Sequence, residues 1–228
     1  VYDFTSSDYV YPAAQWNGTG NQRGWQIDID TAGRFSFIWS TDGTYNPGVT
    51  YLAQQVSTAN SFTNSASKGL RFLFDVDNGA SGRAFSVYHR DDDDIESSSG
   101  WTQLGSTNTT AGATTIHNST ASLDLGACND GGHLAGTIHK AVLLDGINGA
   151  AVANPNFTSD PALDGYAPDG AGNTWTLNGT AALVDNGAAI PDVSGDSPGL
   201  ELQGVLNLLG GTSGLGVNAA ATAWYESI

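Results

Sequence analysis

The chain has one cysteine, no methionine and only seven basic residues in 228. With Cys128 alone, an intrachain disulfide is excluded. A chain of this length buries enough surface to fold without one. Seven Lys and Arg against 23 acidic residues leave a formal net charge of −16. No basic stripe is present to neutralise phosphates, which excludes nucleic acid as a partner. Anionic polymers and anionic membrane surfaces are disfavoured for the same reason. No apolar run approaches the roughly 20 residues that cross a bilayer, so no membrane insertion is expected.

Glutamate is scarce as well: Glu96, Glu201 and Glu226 are the only ones, and every other acid is Asp. Asp favours turns and is a good oxygen ligand for hard cations. A salt-adapted surface would use Glu too, so the skew points to turn chemistry and Ca²⁺. A chain opening at Val1 without a leader reads as a processed, exported product. Asn-x-Ser/Thr sequons stand at Asn17, Asn108, Asn118, Asn156 and Asn178, as a Thr- and Asn-rich chain produces by chance.

What the chain does have is alternation. Trp25-Ile27-Ile29, Phe35-Phe37-Trp39, Leu70-Phe72-Phe74-Val76 and Phe85-Val87 place apolar side chains at every second residue. Period two puts them on one face of a pleated strand. Asp30-Thr31-Ala32-Gly33 separates the first two runs and reads as a hairpin; Asp77 to Gly82 separates the last two in the same way. Thirty glycines, with many Ser, Thr and Asn, fit strands and turns. Residues 1–11 read as two short strands that pair at home or add to a neighbour's sheet. Residues 12–24 read as a polar loop carrying Trp16. Residues 49–60 are ambiguous between strand and helix. WTQL and TTIH are strand candidates within 101–120. Residues 134–144 read as a buried strand, with helix as the alternative. Residues 145–173 read as a long loop, 174–184 as a hairpin, and the last stretches as strands. With no linker and no repeat, the expected fold is all-β. It is a single secreted domain over 1–228, an antiparallel β-sandwich or jelly roll with long Asp/Gly/Asn-rich loops.

Asp75-Val76-Asp77-Asn78-Gly79 is a D-x-D-x-G turn able to present two carboxylates to one Ca²⁺. The twelfth loop position is Ser86 rather than Glu, so it is not an EF-hand. Asp91, Asp92, Asp93 and Asp94 form a second set, whose mutual repulsion a cation would relieve. Asp192, Ser194 and Asp196 form a weaker third. Each competes with a plain solvated turn. Cys128, His133 and His139 have soft-metal side chains but lack an evident fourth ligand. Tyr88, His89 and Arg90, with Gln26 and Arg71, supply the residue types of a polysaccharide lyase. QID and YHR resemble tripeptides of alginate-lyase-like jelly rolls, but the four Asp that follow would repel an anionic chain. Paired Glu for glycoside hydrolysis are absent. No G-x-S-x-G is present. No catalytic set is therefore assigned. Trp16 and Trp101, beside polar loops, are the tryptophans suited to stack on sugar rings.

Gly214-Leu215-Gly216-Val217-Asn218, followed by Glu226 in WYESI, resembles a pattern of secreted PEP-CTERM-type bacterial surface proteins. The resemblance implies an exported bacterial β-sandwich and assigns no catalytic residue. It covers about fifteen residues, and no sorting tail follows it here. The sequence reading is thus an extracellular or cell-surface structural subunit, a homo-oligomer or filament steadied by Ca²⁺. A carbohydrate-binding module taking a polysaccharide is the alternative, and a polysaccharide-degrading enzyme the third.

Overall fold

The computed structural model describes residues 8–45, 51–55, 62, 67–92, 94–129, 131–157, 169–179 and 181. All of them belong to one compact unit, Val1–Val184; Asp185–Ile228 is grouped separately and lies outside the described residues. The fold is all-β with antiparallel sheets, and the described residues contain no helix.

Strands β1 (Val10–Asn17), β2 (Gln22–Ile29), β3 (Phe35–Ser40), β4 (Tyr51–Gln55) and β9 (Asp124–Leu125) form one sheet in the order β4-β3-β2-β1-β9. In the second sheet, β6 (Gly82–Arg90) pairs with β5 (Gly69–Asp75) along one edge. Its other edge is taken in turn by β7 (Thr102–Gln103) and β8 (Asn108–Ala111). A small hairpin, β10 (Leu143–Leu144) with β11 (Ala151–Ala153), stands apart.

The expected alternation is realised in register. Trp25 faces Trp39, Ile27 faces Phe37 and Ile29 faces Phe35 across β2 and β3. Phe72 faces Val87 and Phe74 faces Phe85 across β5 and β6. Paired residues share a face, so the aromatics of both sheets meet in one core. Phe37 stacks on Phe74 at 4.5 Å between centroids, and Phe35 meets Phe72 edge-on at 5.5 Å. Phe35, Phe85 and Trp39 are fully buried, whereas Phe72 and Phe74 are half-buried.

Three recurring corners show what Asp and Asn do in the turns. In Asp30-Thr-Ala-Gly-Arg34, Asp30 Oδ1 accepts the N–H of Ala32 and of Arg34, both at 2.9 Å, and Gly33 takes φ 73°. Asp169-Gly-Ala-Gly-Asn173 repeats it: Asp169 Oδ1 accepts the N–H of Ala171 and Asn173 at 2.9 Å, and Gly172 has φ 93°. In Asn78-Gly-Ala-Ser-Gly82, Asn78 Oδ1 accepts Ala80 N–H and Ser81 takes the left-handed position at φ 57°. The side-chain oxygen stands in for a backbone acceptor, which is why Asp and Asn occupy such turns.

Asp169 carries more than a corner. Its Oδ2 accepts Asn154 N–H at 3.0 Å and Trp175 Nε1–H at 2.9 Å, tying residues 169–175 to the end of β11. Burial works against its charge, but these hydrogen bonds win and hold the carboxyl down at about 2. Asp169→Asn keeps the corner oxygen and loses the charge. It is expected to cost about 1–2 kcal/mol in urea unfolding and to loosen Trp175, read by its fluorescence.

Several sequence expectations are corrected. Residues 12–24 are not a loop: they hold most of β1 and the start of β2. Pairing to β2 and β9 on either side makes β1 a strand despite its weak pattern, with bulges at Val10/Ala13 and Gln15/Trp16. Residues 134–144 are strand only at Leu143–Leu144 and are half-buried or exposed, because His139 and Lys140 interrupt the apolar run. Residues 145–173 include β11 and the Asp169 corner rather than loop alone. Within 49–60, Tyr51–Gln55 is strand. Thr102–Gln103 realises the WTQL strand, while TTIH forms none. Residues 1–7, the last strands and the Gly214–Glu226 motif lie outside the described residues.

Candidate functional site

The described carboxylates proposed for Ca²⁺ stand at turns or at a strand end and are already furnished with partners. Asp75 Oδ1 accepts Asp77 N–H at 3.1 Å, and Asp77 Oδ1 accepts Gly79 N–H at 3.2 Å. Asp91 pairs with Lys68, and Asp92 with Arg90. Asp94 Oδ2 lies 3.7 Å from Arg90. Hydrogen bonding from Lys68 and from Arg90 lowers the Asp91 and Asp92 carboxyls respectively. Their mutual repulsion is thus met by the protein's own cations. Asp93, Asp192, Ser194 and Asp196 lie outside the described residues. Among the described residues no three His, Cys, Asp or Glu gather around a common point. Cys128 is buried and donates its thiol to Gln26 Oε1 at 3.3 Å, away from a shared centre with His133 and His139.

The lyase-type set does not converge. Tyr88 registers with Arg71 and His89 with Leu70, so Tyr88 and His89 point to opposite faces of β6. His89 packs edge-on against Phe62, and Gln26 lies on the other sheet beneath Cys128.

Trp101 is half-buried, with the Arg90 guanidinium 5.3 Å from its ring and its Nε1–H donated to Ser97 O. Trp16 is 3 % exposed and packs with Ala14 and Cys128 on the far face of the first sheet. Its ring is therefore not offered to a sugar. It does form the base of a stack. The Arg23 guanidinium lies 5.9 Å from the Trp16 ring and 5.7 Å from that of Tyr45, which is 56 % exposed.

Tyr45 belongs to a cluster of three loops at one end of the first sheet: residues 17–21, 40–45 and 117–120. They converge on Gly43. A Cβ there would lie 1.9 Å from Asn21 O and 2.8 Å from His117 Nε2, and its φ of +85° also calls for glycine. Arg23 N–H donates to Gly43 O, and His117 N–H donates to Ser40 O. Asp42 Oδ1 accepts from Thr44 N–H and Oγ1–H and from Ser40 Oγ–H. These bonds hold the Asp42 carboxyl below its ordinary value. Ser119 Oγ–H and Thr120 N–H bind Gln22, fixing the third loop to the start of β2. Sequence reasoning missed this site because Tyr45 lies in a turn cluster without periodicity. The aromatic inside TDGTYNPG was the one available signal.

A cleft of about 1220 Å³ opens elsewhere, and Trp25, Phe72, Phe74, Lys140, Leu143 and Asn148 are among the residues that line it. Arg71 and Asn148 both line it, and Arg71 donates to Asn148 Oδ1 at 3.1 Å. No family model, curated protein or solved structure matches the chain.

Proposed function

We propose that this chain is an extracellular or cell-surface structural subunit, a β-sandwich that associates with copies of itself. The contact of β3 with β5 and β6 through one aromatic core supports the sandwich arrangement. The observation that carries the association is the β10–β11 hairpin. Leu144, Ile147 and Val152 are 36, 46 and 45 % exposed within a short span of chain, half of the large exposed apolar side chains among the described residues. Such a concentration on an acidic surface supports a contact there. Strands β4 and β5 end their sheets among the described residues and offer edges for strand addition. The resemblance of GLGVN and WYESI to exported bacterial surface proteins agrees with this reading.

The test is molar mass by light scattering across concentration. The wild type is expected to gain mass, more so at high salt, where charge repulsion between copies is screened. Leu144→Ser, Ile147→Ser and Val152→Ser together are expected to leave a folded monomer. A wild type that stays monomeric at millimolar concentration sinks the reading. Ca²⁺ would enter as an added staple at Asp75 and Asp77 or at the Asp91–Asp94 run. Because Lys68 and Arg90 already neutralise the latter, and Asp75 and Asp77 each already accept a backbone N–H of their own turn, either site would be weakly filled, and EDTA is expected to move Tm by less than about 2 °C. A site held at about 100 times its Kd would shift Tm by more than about 5 °C.

A further inference from the structure

We propose that the loop cluster around Tyr45 is a binding site for a neutral oligosaccharide, with the Tyr45 ring as its stacking platform. The exposed ring is backed by the Arg23 guanidinium, which rests in turn on buried Trp16. A ring held from behind loses little freedom when a ligand covers its front, so more of the contact energy appears as affinity. The loop cluster that carries the platform offers exposed polar groups. Thr19, Asn21 and Asp42 are exposed on the loops that meet at Gly43. Asp42 Oδ1 is engaged within its own turn, which fixes the carboxylate and leaves Oδ2 as an acceptor for a hydroxyl.

The ligand class follows from this mixture. An apolar partner would leave those amides, hydroxyls and the carboxylate without water or partners, at a cost in each case. A nucleic acid or an acidic glycan would meet Asp42 within a chain of net charge −16. A neutral pyranose has both matching surfaces: a C–H face for the tyrosine ring and equatorial hydroxyls for Asn21 and Asp42. The site also places the tryptophan that the sequence marks out. Trp16 supports the platform from below and does not touch the sugar.

The experiment is calorimetric titration of the full chain with soluble neutral oligosaccharides, namely gluco-, manno-, galacto- and N-acetylglucosamine oligomers, and with oligogalacturonate as the acidic counterpart. At least one neutral series is expected to bind, and oligogalacturonate not to. Tyr45→Ala is expected to weaken binding about tenfold or more, the scale of losing one stacked ring, with Tm nearly unchanged. Tyr45→Phe is expected to bind within about threefold of wild type, since the ring face is kept. Should Tyr45→Ala fail to fold, Asp42→Asn decides: it keeps the turn oxygen and is expected to weaken binding at least about threefold. No binding of any neutral oligomer, a preference for the acidic one, or full binding by a folded Tyr45→Ala would overturn the proposal. In the absence of a folded Tyr45→Ala, full binding by Asp42→Asn would do so.

Discussion

Trp39→Ala is expected to cost about 3–5 kcal/mol, the largest loss of any single substitution in the described core. Trp39 is wholly buried at the centre of β3. Its ring lies 4.5 Å from Phe74 and 6.0 Å from Phe37. Arg83, itself 7 % exposed, rests its guanidinium 5.6 Å from the same ring while donating to Ala111 O and Gly112 O. Truncation therefore leaves a cavity, removes the partner of Thr114 Oγ1 and strips the apolar cover from a buried cation. Phe72→Ala, at a half-buried ring, is expected to cost roughly half as much. Urea unfolding measures both. A loss below about 1 kcal/mol for Trp39→Ala would mean that the core face of β3 is misassigned.

Asp28→Asn is expected to stabilise the protein at neutral pH. Asp28 is 4 % exposed on the face of β2 opposite the aromatic core, and its Oδ1 has no partner among the described residues. Burial raises its carboxyl to about 6; a hydrogen bond with Ser36 partly offsets this, and the Asp30 charge adds to it. Tyr11 nearby is pushed up to about 12, by burial first and by the Asp28 charge second. The folded state thus holds the Asp28 proton where the unfolded chain has released it. Below about pH 4 both states are protonated and nothing is lost. Between about pH 4 and 6 stability falls as pH rises, and above that the whole penalty is present. A shift of about two units corresponds to at most about 3 kcal/mol. The Asn variant lacks the ionisation, so the two stability curves should converge near about pH 4 and separate by about pH 7. Parallel curves across that range would remove the assignment.

Alternation makes β2, β3, β5 and β6 readable from sequence because each has one face in the aromatic core. It could not reveal β1. Pro12, Ala13, Ala14 and Gln15 carry no period, two bulges shift the register, and pairing with β2 and β9 imposes the strand. The same blind spot hid the burial of Trp16, whose sequence neighbours are polar. Cys128, distant in sequence, is part of what packs with it. The opposite error befell 134–144, where composition suggests a core strand but the backbone follows 153–157 irregularly. Ala141 N–H donates to Pro155 O, and Phe157 N–H to His139 O. Tyr45 was invisible because a site built from three loop tips has no signature within any one of them.

The corner that recurs at Asp30, Asn78 and Asp169 separates two properties that the composition merges. Closing the corner takes one acceptor oxygen, and the amide of Asn78 supplies it as well as a carboxylate does. At the two Asp corners the charge has a further use, because the second oxygen has a partner of its own. At the first corner that oxygen grips Arg34, and at the third it holds Asn154 and Trp175. At Asp75 and Asp77 one oxygen each serves the turn, and the carboxylate also adds to the molecule's electric field. Colloidal repulsion between molecules can therefore be tuned, by evolution or by an engineer, through Asp-to-Asn exchange at such turns without redrawing the backbone. Solubility and architecture are written in the same residues, but in different atoms of them.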